Sequence, residues 1–89
     1  MKKIYKYELD ITGTQTVNMP QGAIIRHIGE QFGRLCMWAE VEPLAPLEPR
    51  QIEIYGTGQP IQNEEGLCFI GTFLRLDGHF VGHAYERKH

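Results

Sequence analysis

The sequence predicts an all-β domain of about six or seven antiparallel strands, packed as a sandwich or as a partly open barrel. Apolar residues recur at every second position in several windows, which is the period of a half-buried strand. Glycine, proline and an Asp-Gly pair separate these windows at short intervals, as turns do. The window closest to a helical pattern, residues 29–42, is interrupted by Gly33 and followed by Pro43, so no helix is expected.

Two strands are predicted in the first twenty residues. Residues 4–11, IYKYELDI, alternate aromatic or aliphatic residues with charged ones, which predicts a strand with one face on the core. The Gly-Thr pair at residues 13–14 interrupts this pattern. Residues 14–19, TQTVNM, form a short second strand, which ends where the sequence Pro-Gln-Gly at residues 20–22 signals a turn.

The clearest hairpin lies in the middle of the chain. Residues 23–31, AIIRHIGEQ, and residues 35–42, LCMWAEVE, are two strand-like runs joined by a short link that contains Gly33. The second run is apolar on both of its faces. That composition predicts a central strand that is covered on both sides.

Three further strands are predicted after this hairpin. Residues 43–49, PLAPLEP, contain three prolines and are expected to form an exposed loop with polyproline character. Residues 50–58 then form a fifth strand, followed by a polar loop. Residues 67–76 form a sixth strand, the pair Asp77-Gly78 a hairpin turn, and residues 79–86 a seventh strand.

Length and charge limit the classes of partner. A chain of 89 residues allows one domain, residues 1–89, because it could not fill two hydrophobic cores. A core of this size is marginal, so burial against a second copy, and hence a homo-oligomer, is expected. The formal net charge of -2 removes the basic surplus that general nucleic-acid binding requires. A local basic patch stays open, built from Arg26, Arg34, Arg50 and Arg75.

The chain carries no signal for a membrane or for export. No apolar run approaches the length of a membrane span, and the N-terminal MKKIYKYELD lacks the apolar region of a secretory leader. A cytoplasmic location without a membrane partner is therefore expected. Cys36 and Cys68 lie within apolar stretches, and both are predicted to be buried free thiols rather than a disulfide.

Residues 54–61, IYGTGQPI, form a glycine loop that could either hold a ligand or bend the chain. A dinucleotide fingerprint needs a third glycine and a following helix, but position 61 is Ile61. A P-loop is excluded as well, because no Gly-Lys-Ser/Thr follows. Two interpretations remain, a strand exit or bulge, and a nest of exposed amides that binds an anion. Tyr55 beside the loop could stack on a nucleobase while an arginine holds a phosphate.

The sequence predicts no catalytic residues, no metal site and no cofactor. The chain has no serine, and nothing marks Cys36 or Cys68 as a thiolate paired with a histidine. His79 and His83 are four residues apart on a strand, which separates them too widely for one metal at about 3.3 Å per residue. The carboxylates of Glu64 and Glu65 are adjacent in a polar loop, as on a solvated surface. The remaining histidines, His27 and His89, form no short ligand pair.

Several segments spread over most of the chain resemble a known family. They are IYKYELDIT, TQTVNMPQGA, RHIGEQFGRLCMWAEVE, IEIYGTGQPI, FIGTF and HAYE. With them the chain resembles a family of very small, mostly uncharacterised proteins of tailed phages and prophages, a domain of unknown function. The segment IYGTG-x-PI and the run from His27 to Trp38 are the most specific parts. His83 also matches the family pattern, whereas Gln59 stands where family members often have histidine, so no obligatory histidine chemistry is implied there.

The resemblance implies accessory work in the cytoplasm of an infected bacterial host, and counter-defence is the role expected. The chain would act without catalysis, by sequestering a nucleotide-type immune signal or by blocking a defence protein. Its candidate ligand contacts are Tyr55, Gly56, Thr57, Gly58, Gln59, Arg26, His27, Arg50 and His83. Two alternatives stay open: a structural or assembly protein of the virion, and a small nucleotide hydrolase that uses His83 or a cysteine.

Overall fold

The computed structural model describes residues 1–11 and 13–88, and in this part of the chain it is all-β. Seven antiparallel strands form two sheets, so the predicted fold class is confirmed, as a sandwich-like arrangement rather than a closed barrel. The strands are β1 (Lys3–Leu9), β2 (Thr14–Pro20), β3 (Ile24–Gln31), β4 (Arg34–Val41), β5 (Leu47–Gly56), β6 (Leu67–Arg75) and β7 (Phe80–Arg87).

Each sheet contains one of the predicted hairpins. Sheet A has the strand order β1-β4-β3, and sheet B has the order β2-β5-β7-β6. The β3–β4 hairpin turns at Phe32 and Gly33, whose φ angles of 51° and 76° match a two-residue turn that follows the twist of the strands. The β6–β7 hairpin turns through Leu76, Asp77 and Gly78, all at positive φ. Both predicted hairpins are therefore confirmed.

The core lies between the two sheets. On β4, Leu35, Met37, Ala39 and Val41 all point inward, as the alternation of a strand requires. Facing them from sheet B are buried side chains of β2, β5, β6 and β7. These are Met19, Ile52, Ile54, Phe73 and Ala84. Burial of these apolar surfaces is the main stabilising contribution.

The structure corrects two of the sequence predictions, namely where β5 begins and how fully β4 is covered. Pro49 belongs to β5, which begins at Leu47 and not after the proline-rich loop. Pairing of β5 with β7 starts only at Gln51, so the missing N–H of Pro49 leaves no β7 acceptor unpaired. The strand β4 is central, but it is not fully covered on its second face: Cys36 is buried there, whereas Trp38 is half-buried.

The edges of the two sheets meet along one side of the molecule. Gly71 of β6 lies against the side chain of Ile28 of β3, and Arg75 of β6 forms a salt bridge with Glu30 of β3 at 2.9 Å. The same two strands separate near their first residues and leave a gap of about 260 Å³. Cys68 lies at this gap and is exposed, so the prediction of a buried thiol is wrong for Cys68 and confirmed for Cys36.

Candidate functional site

The glycine loop leaves sheet B next to His83, on the face turned away from sheet A. In the register of β5 and β7, Tyr55 lies opposite His83 and Gly56 opposite Gly82. The hydroxyl of Thr57 lies 2.9 Å from Nε2 of His83. The hydroxyl of Thr72, on the neighbouring strand β6, lies 2.9 Å from Nδ1. Both ring nitrogens of His83 are thus occupied by threonine hydroxyls, which fixes the orientation of the imidazole.

The polar groups of the loop hydrogen-bond mainly to one another. The backbone N–H of Gly56 donates to Oε1 of Gln59 at 3.0 Å, and the N–H of Gln59 donates to the carbonyl of Gly56 at 3.0 Å. Gly58 closes this turn with a φ of 86°, which a residue with a side chain rarely adopts. The amide of Gly56 is therefore already paired, as expected of a strand exit. The ligand role of the loop stays a prediction.

Tyr55 is held by its neighbours on the outer face of sheet B. Its side chain is buried, its hydroxyl donates to Oε1 of Glu53 at 2.7 Å, and its ring packs edge-on against Tyr85 with centroids 5.8 Å apart. The hydrogen bond to the Glu53 carboxylate, together with burial, raises the pKa of the Tyr55 hydroxyl. Stacking of Tyr55 on a base would require that this arrangement open.

A buried ion pair fastens the following loop over this face. The guanidinium of Arg87 binds the carboxylate of Glu53, and both side chains are nearly inaccessible. Hydrogen bonds from Arg87, Tyr55 and Gln51 outweigh burial and lower the pKa of Glu53 to about 2. Arg87 also donates to backbone carbonyls of the loop, at Gln62, Asn63 and Glu65. One arginine thus joins β5, β7 and residues 62–65.

Arg50 lies elsewhere, on the inner face of sheet B at one end of the sandwich. It binds the Glu86 carboxylate through Nε and Nη2, and its Nη1 donates to the carbonyl of Ala23 at 2.9 Å. The side chains of Arg50 and Glu86 are only 12% and 8% exposed. A paired guanidinium of this kind keeps its charge while buried.

An open groove of about 690 Å³ borders this ion pair. Its walls come from the β2–β3 turn, from the first residues of β5 and from the end of β7, and they include Gly22, Ala23, Glu48, Pro49, Arg50 and Lys88. The volume lies within the range of small-molecule sites. Glu48 contributes a second carboxylate, 3.7 Å from Nη1 of Arg50. Lys88 also lines the groove and is an exposed residue, so the groove combines a buried guanidinium with an exposed lysine.

Arg26 and His27 lie on the outer face of sheet A, apart from both places in sheet B. Arg26 donates to Glu40 at 3.2 Å. The ring of His27 lies over Gly29 and next to Trp38, with ring centroids 5.7 Å apart. The candidate residues therefore occupy three separate places, and only the glycine loop and His83 come together as one group.

Sequence reasoning missed four residues that complete these places: Glu53, Glu86, Arg87 and Lys88. A signal for Glu86 exists, because it follows Gly82 and Ala84 at every second position and so shares the inner face of β7. Arg50 is likewise in phase with Ile52 and Ile54. Two opposite charges in phase with core residues indicate a buried pair. No sequence signal marks Lys88 or the reach of Arg87 to the loop.

Within residues 1–11 and 13–88, no three histidine, cysteine or acidic side chains lie close enough to hold a metal ion. No helix among the described residues is long and apolar enough to cross a membrane. Every buried side-chain nitrogen or oxygen described has a hydrogen-bond partner.

Comparison with known proteins identifies a family whose function is unknown. The model of a family described as a domain of unknown function, DUF7352, matches residues 1–89. No curated protein matches the chain. No solved structure matches it either.

Proposed function

We propose that this chain, which belongs to the family of domains of unknown function DUF7352, is a non-enzymatic phage accessory protein that antagonises a bacterial defence system by binding. Its ligand is a nucleotide-type immune signal, sequestered in the groove beside Arg50. The proposal depends on one observation above all: a groove of about 690 Å³ borders a buried guanidinium and carries an accessible lysine. Cationic groups of this kind are what an anionic small molecule requires.

The groove supports binding better than the glycine loop does. The Gly56 amide and the Thr57 hydroxyl already have partners within the chain, whereas Lys88 is an exposed residue that lines the groove. Arg50 is held in one orientation by Glu86 and Ala23, which accept from three of its five N–H groups, so a ligand can bind the other two without ordering the side chain. Sequestration needs affinity without turnover, and this arrangement serves that purpose.

The test combines native mass spectrometry and thermal shift on the purified protein. A panel of cyclic nucleotides and ADP-ribose derivatives is added, and we expect at least one to remain bound and to raise the melting temperature. Lys88→Ala should weaken that ligand by about tenfold, since one charge-assisted hydrogen bond contributes about 1.5–3 kcal/mol. The matched control is Lys6→Ala, because Lys6 is an exposed lysine of sheet A whose Nζ contacts Gln31.

Two outcomes contradict the proposal. If no member of the panel binds or is retained, the small-molecule function fails. If a ligand binds but Lys88→Ala and Lys6→Ala leave its affinity equally unchanged, the groove is not the site. The same spectra address hydrolysis, because a nucleotide that a hydrolase consumes would change in mass during incubation.

Blocking of a defence protein is the second candidate, and exposed apolar side chains of β6 and of the turn that follows it favour it. Phe69, Leu74 and Leu76 are 60%, 60% and 59% exposed, although an outer strand face is usually polar. We expect Phe69→Ser with Leu74→Ser to abolish a complex that the wild type forms with a defence protein. Leu44→Ser is the control, because Leu44 is 93% exposed in a loop. A complex that survives the double substitution excludes this surface.

A further inference from the structure

The four edge strands of the two sheets differ in how well they are protected against pairing. An edge strand presents unpaired backbone N–H and C=O groups, and proteins protect such edges with charges, bulges or covering segments. The edges here are β1 and β3 in sheet A, and β2 and β6 in sheet B. All four lie entirely within the described residues, so they can be compared directly.

Three of these edges carry a protective feature. β1 contains Lys3 and Lys6. β3 has a bulge between Ile25 and His27. β6 has a bulge between Phe69 and Gly71, and its later residues lie against β3. A charge or a bulge disrupts the regular ladder that an added strand would need.

β2 has none of these features. Its sequence, TQTVNMP, contains no charged residue, and its seven residues pair with β5 in an unbroken register from Thr14 to Pro20. Threonine and valine are among the residues that favour strands. On the other side of β2 no strand of the described chain is paired. β2 is therefore an uncharged edge with a regular register, and its ladder is open up to Pro20, which has no N–H to donate.

We propose that β2 pairs with β2 of a second copy of this chain, in antiparallel orientation about a two-fold axis. The central residue of β2 is Val17, so pairing about this residue places valine opposite valine, Thr16 opposite Asn18, and Gln15 opposite Met19. The two four-stranded sheets then continue as one sheet of eight strands. This proposal does not rest on the proposed function, although Thr16 of β2 also lines the groove.

The absence of charged residues on β2 favours a second copy of the chain as its partner. A homotypic antiparallel pair places the residue on its two-fold axis opposite the same residue of the second copy, so a charge at that position is repelled by its own copy. The central residue of β1 is Lys6, and the same operation on β1 would oppose two lysines. β2 is the edge strand of the described chain that has neither a charge at its centre nor a bulge in its register, so it can pair with itself. An isologous interface of this kind closes as a dimer.

Sedimentation and native mass spectrometry in reductant test the proposal. We expect a dimer at micromolar concentration, and Thr16→Lys should raise its dissociation constant at least about tenfold. Thr16 is exposed on the outer face, so a lysine there leaves the monomer folded. The matched control is Ile4→Lys on β1, where Ile4 is 56% exposed. This control should leave the dissociation constant unchanged.

Hydrogen exchange gives an independent readout of the same contact. In the dimer, the amides of β2 should exchange more slowly than in the Thr16→Lys protein, while the amides of β1 exchange equally in both. A wild-type protein that is monomeric at about 100 μM overturns the proposal. A Thr16→Lys protein that dimerises as well as the wild type, through another surface, overturns it too. A protein that stays monomeric and binds a strand of another protein at β2 also overturns the proposal.

Discussion

Gly82 of β7 is a position where a single methyl group decides the packing of the core. A Cβ atom at this residue would overlap the ring of Phe73 on the paired strand β6. Phe73 is buried in the core cluster, so its ring cannot move aside into solvent. The glycine therefore allows the aromatic ring to lie directly on the backbone of the neighbouring strand.

We expect Gly82→Ala to lower the free energy of unfolding by about 2 kcal/mol, because overpacking of a filled core typically costs 1–3 kcal/mol. Urea unfolding measures the change. Gly13→Ala is the control, since no described residue beyond its chain neighbours lies within 4 Å of a Cβ atom there. Adding Phe73→Leu to Gly82→Ala should recover part of the loss. A Gly82→Ala protein as stable as Gly13→Ala would contradict this account of the contact.

Glu53 makes the free energy of unfolding depend on pH in the acid range. Its pKa is lowered to about 2 from an ordinary value of 4.5, chiefly by hydrogen bonds from Arg87. A carboxyl group with a lowered folded-state pKa stabilises the fold above the unfolded-state pKa, and this contribution is lost as the pH falls. We expect the free energy of unfolding to fall by up to about 3 kcal/mol between pH 5 and pH 2, at about 1.36 kcal/mol per pH unit.

Urea titrations at several pH values measure this dependence. Glu53→Gln should be less stable at neutral pH and should show a flatter dependence between pH 5 and pH 2. Glu8→Gln is the matched control, since the Glu8 carboxylate is 58% exposed in its pair with Arg34. An equally steep dependence in Glu53→Gln would show that other carboxylates dominate acid unfolding.

At the scale of an element, Arg87 determines the order of the loop after β5. It connects Glu53 to the carbonyls of Gln62, Asn63 and Glu65. We expect Arg87→Lys to increase amide exchange in residues 60–66, because an ammonium group cannot make these several directed bonds together. Exchange measured by mass spectrometry tests this prediction. Arg34→Lys is the control, and equal exchange in both variants would exclude the clamp.

The strands of this molecule follow from local alternation, which is why the sequence predicts all seven. The errors lie where pairing partners decide the outcome. The prolines of residues 43–49 predict a loop that includes Pro49, but β7 ends before that residue, so β5 can include a residue without an N–H. Cys68 lies in an apolar stretch, but it is exposed because a gap separates β3 from β6 near their first residues. A short window of sequence shows neither where β7 ends nor how far β3 lies from β6.

At the scale of the whole molecule, Arg50 and Glu86 connect the two sheets. The pair stands on the inner face of sheet B, and Arg50 also binds the carbonyl of Ala23 just before β3 of sheet A. We expect Arg50→Met to cost about 3 kcal/mol, because it leaves the buried Glu86 carboxylate without a partner. Arg50→Met combined with Glu86→Leu should recover most of that loss.

Urea unfolding of the two proteins distinguishes them. Arg34→Met is the control, and it should cost less than about 0.5 kcal/mol, because Arg34 is 71% exposed in its pair with Glu8. If the double substitution is as unstable as Arg50→Met alone, the loss of stability does not come from an unpaired charge.

The candidate site was only partly predictable, for reasons that belong to the whole molecule. The sequence places Tyr55, the glycine loop and His83 as candidates, and strand register does bring Tyr55 opposite His83. It cannot place Arg50, because the inner and outer faces of a strand are distinguished only once the sheets are stacked. Arg26 and His27 belong to the other sheet for the same reason. The grouping of side chains from different strands depends on topology, which alternation alone does not encode.

The exposed thiol of Cys68 has a practical consequence for every measurement of assembly. An accessible cysteine on a folded surface is oxidised in air to an intermolecular disulfide. Protein stored without reductant will therefore contain covalent pairs joined through β6, which Cys68→Ser eliminates. A denaturing gel without reductant reveals these pairs. These disulfide-linked pairs carry no information about pairing at β2. A dimer held by backbone hydrogen bonds at β2 persists in reductant, but it dissociates on a denaturing gel.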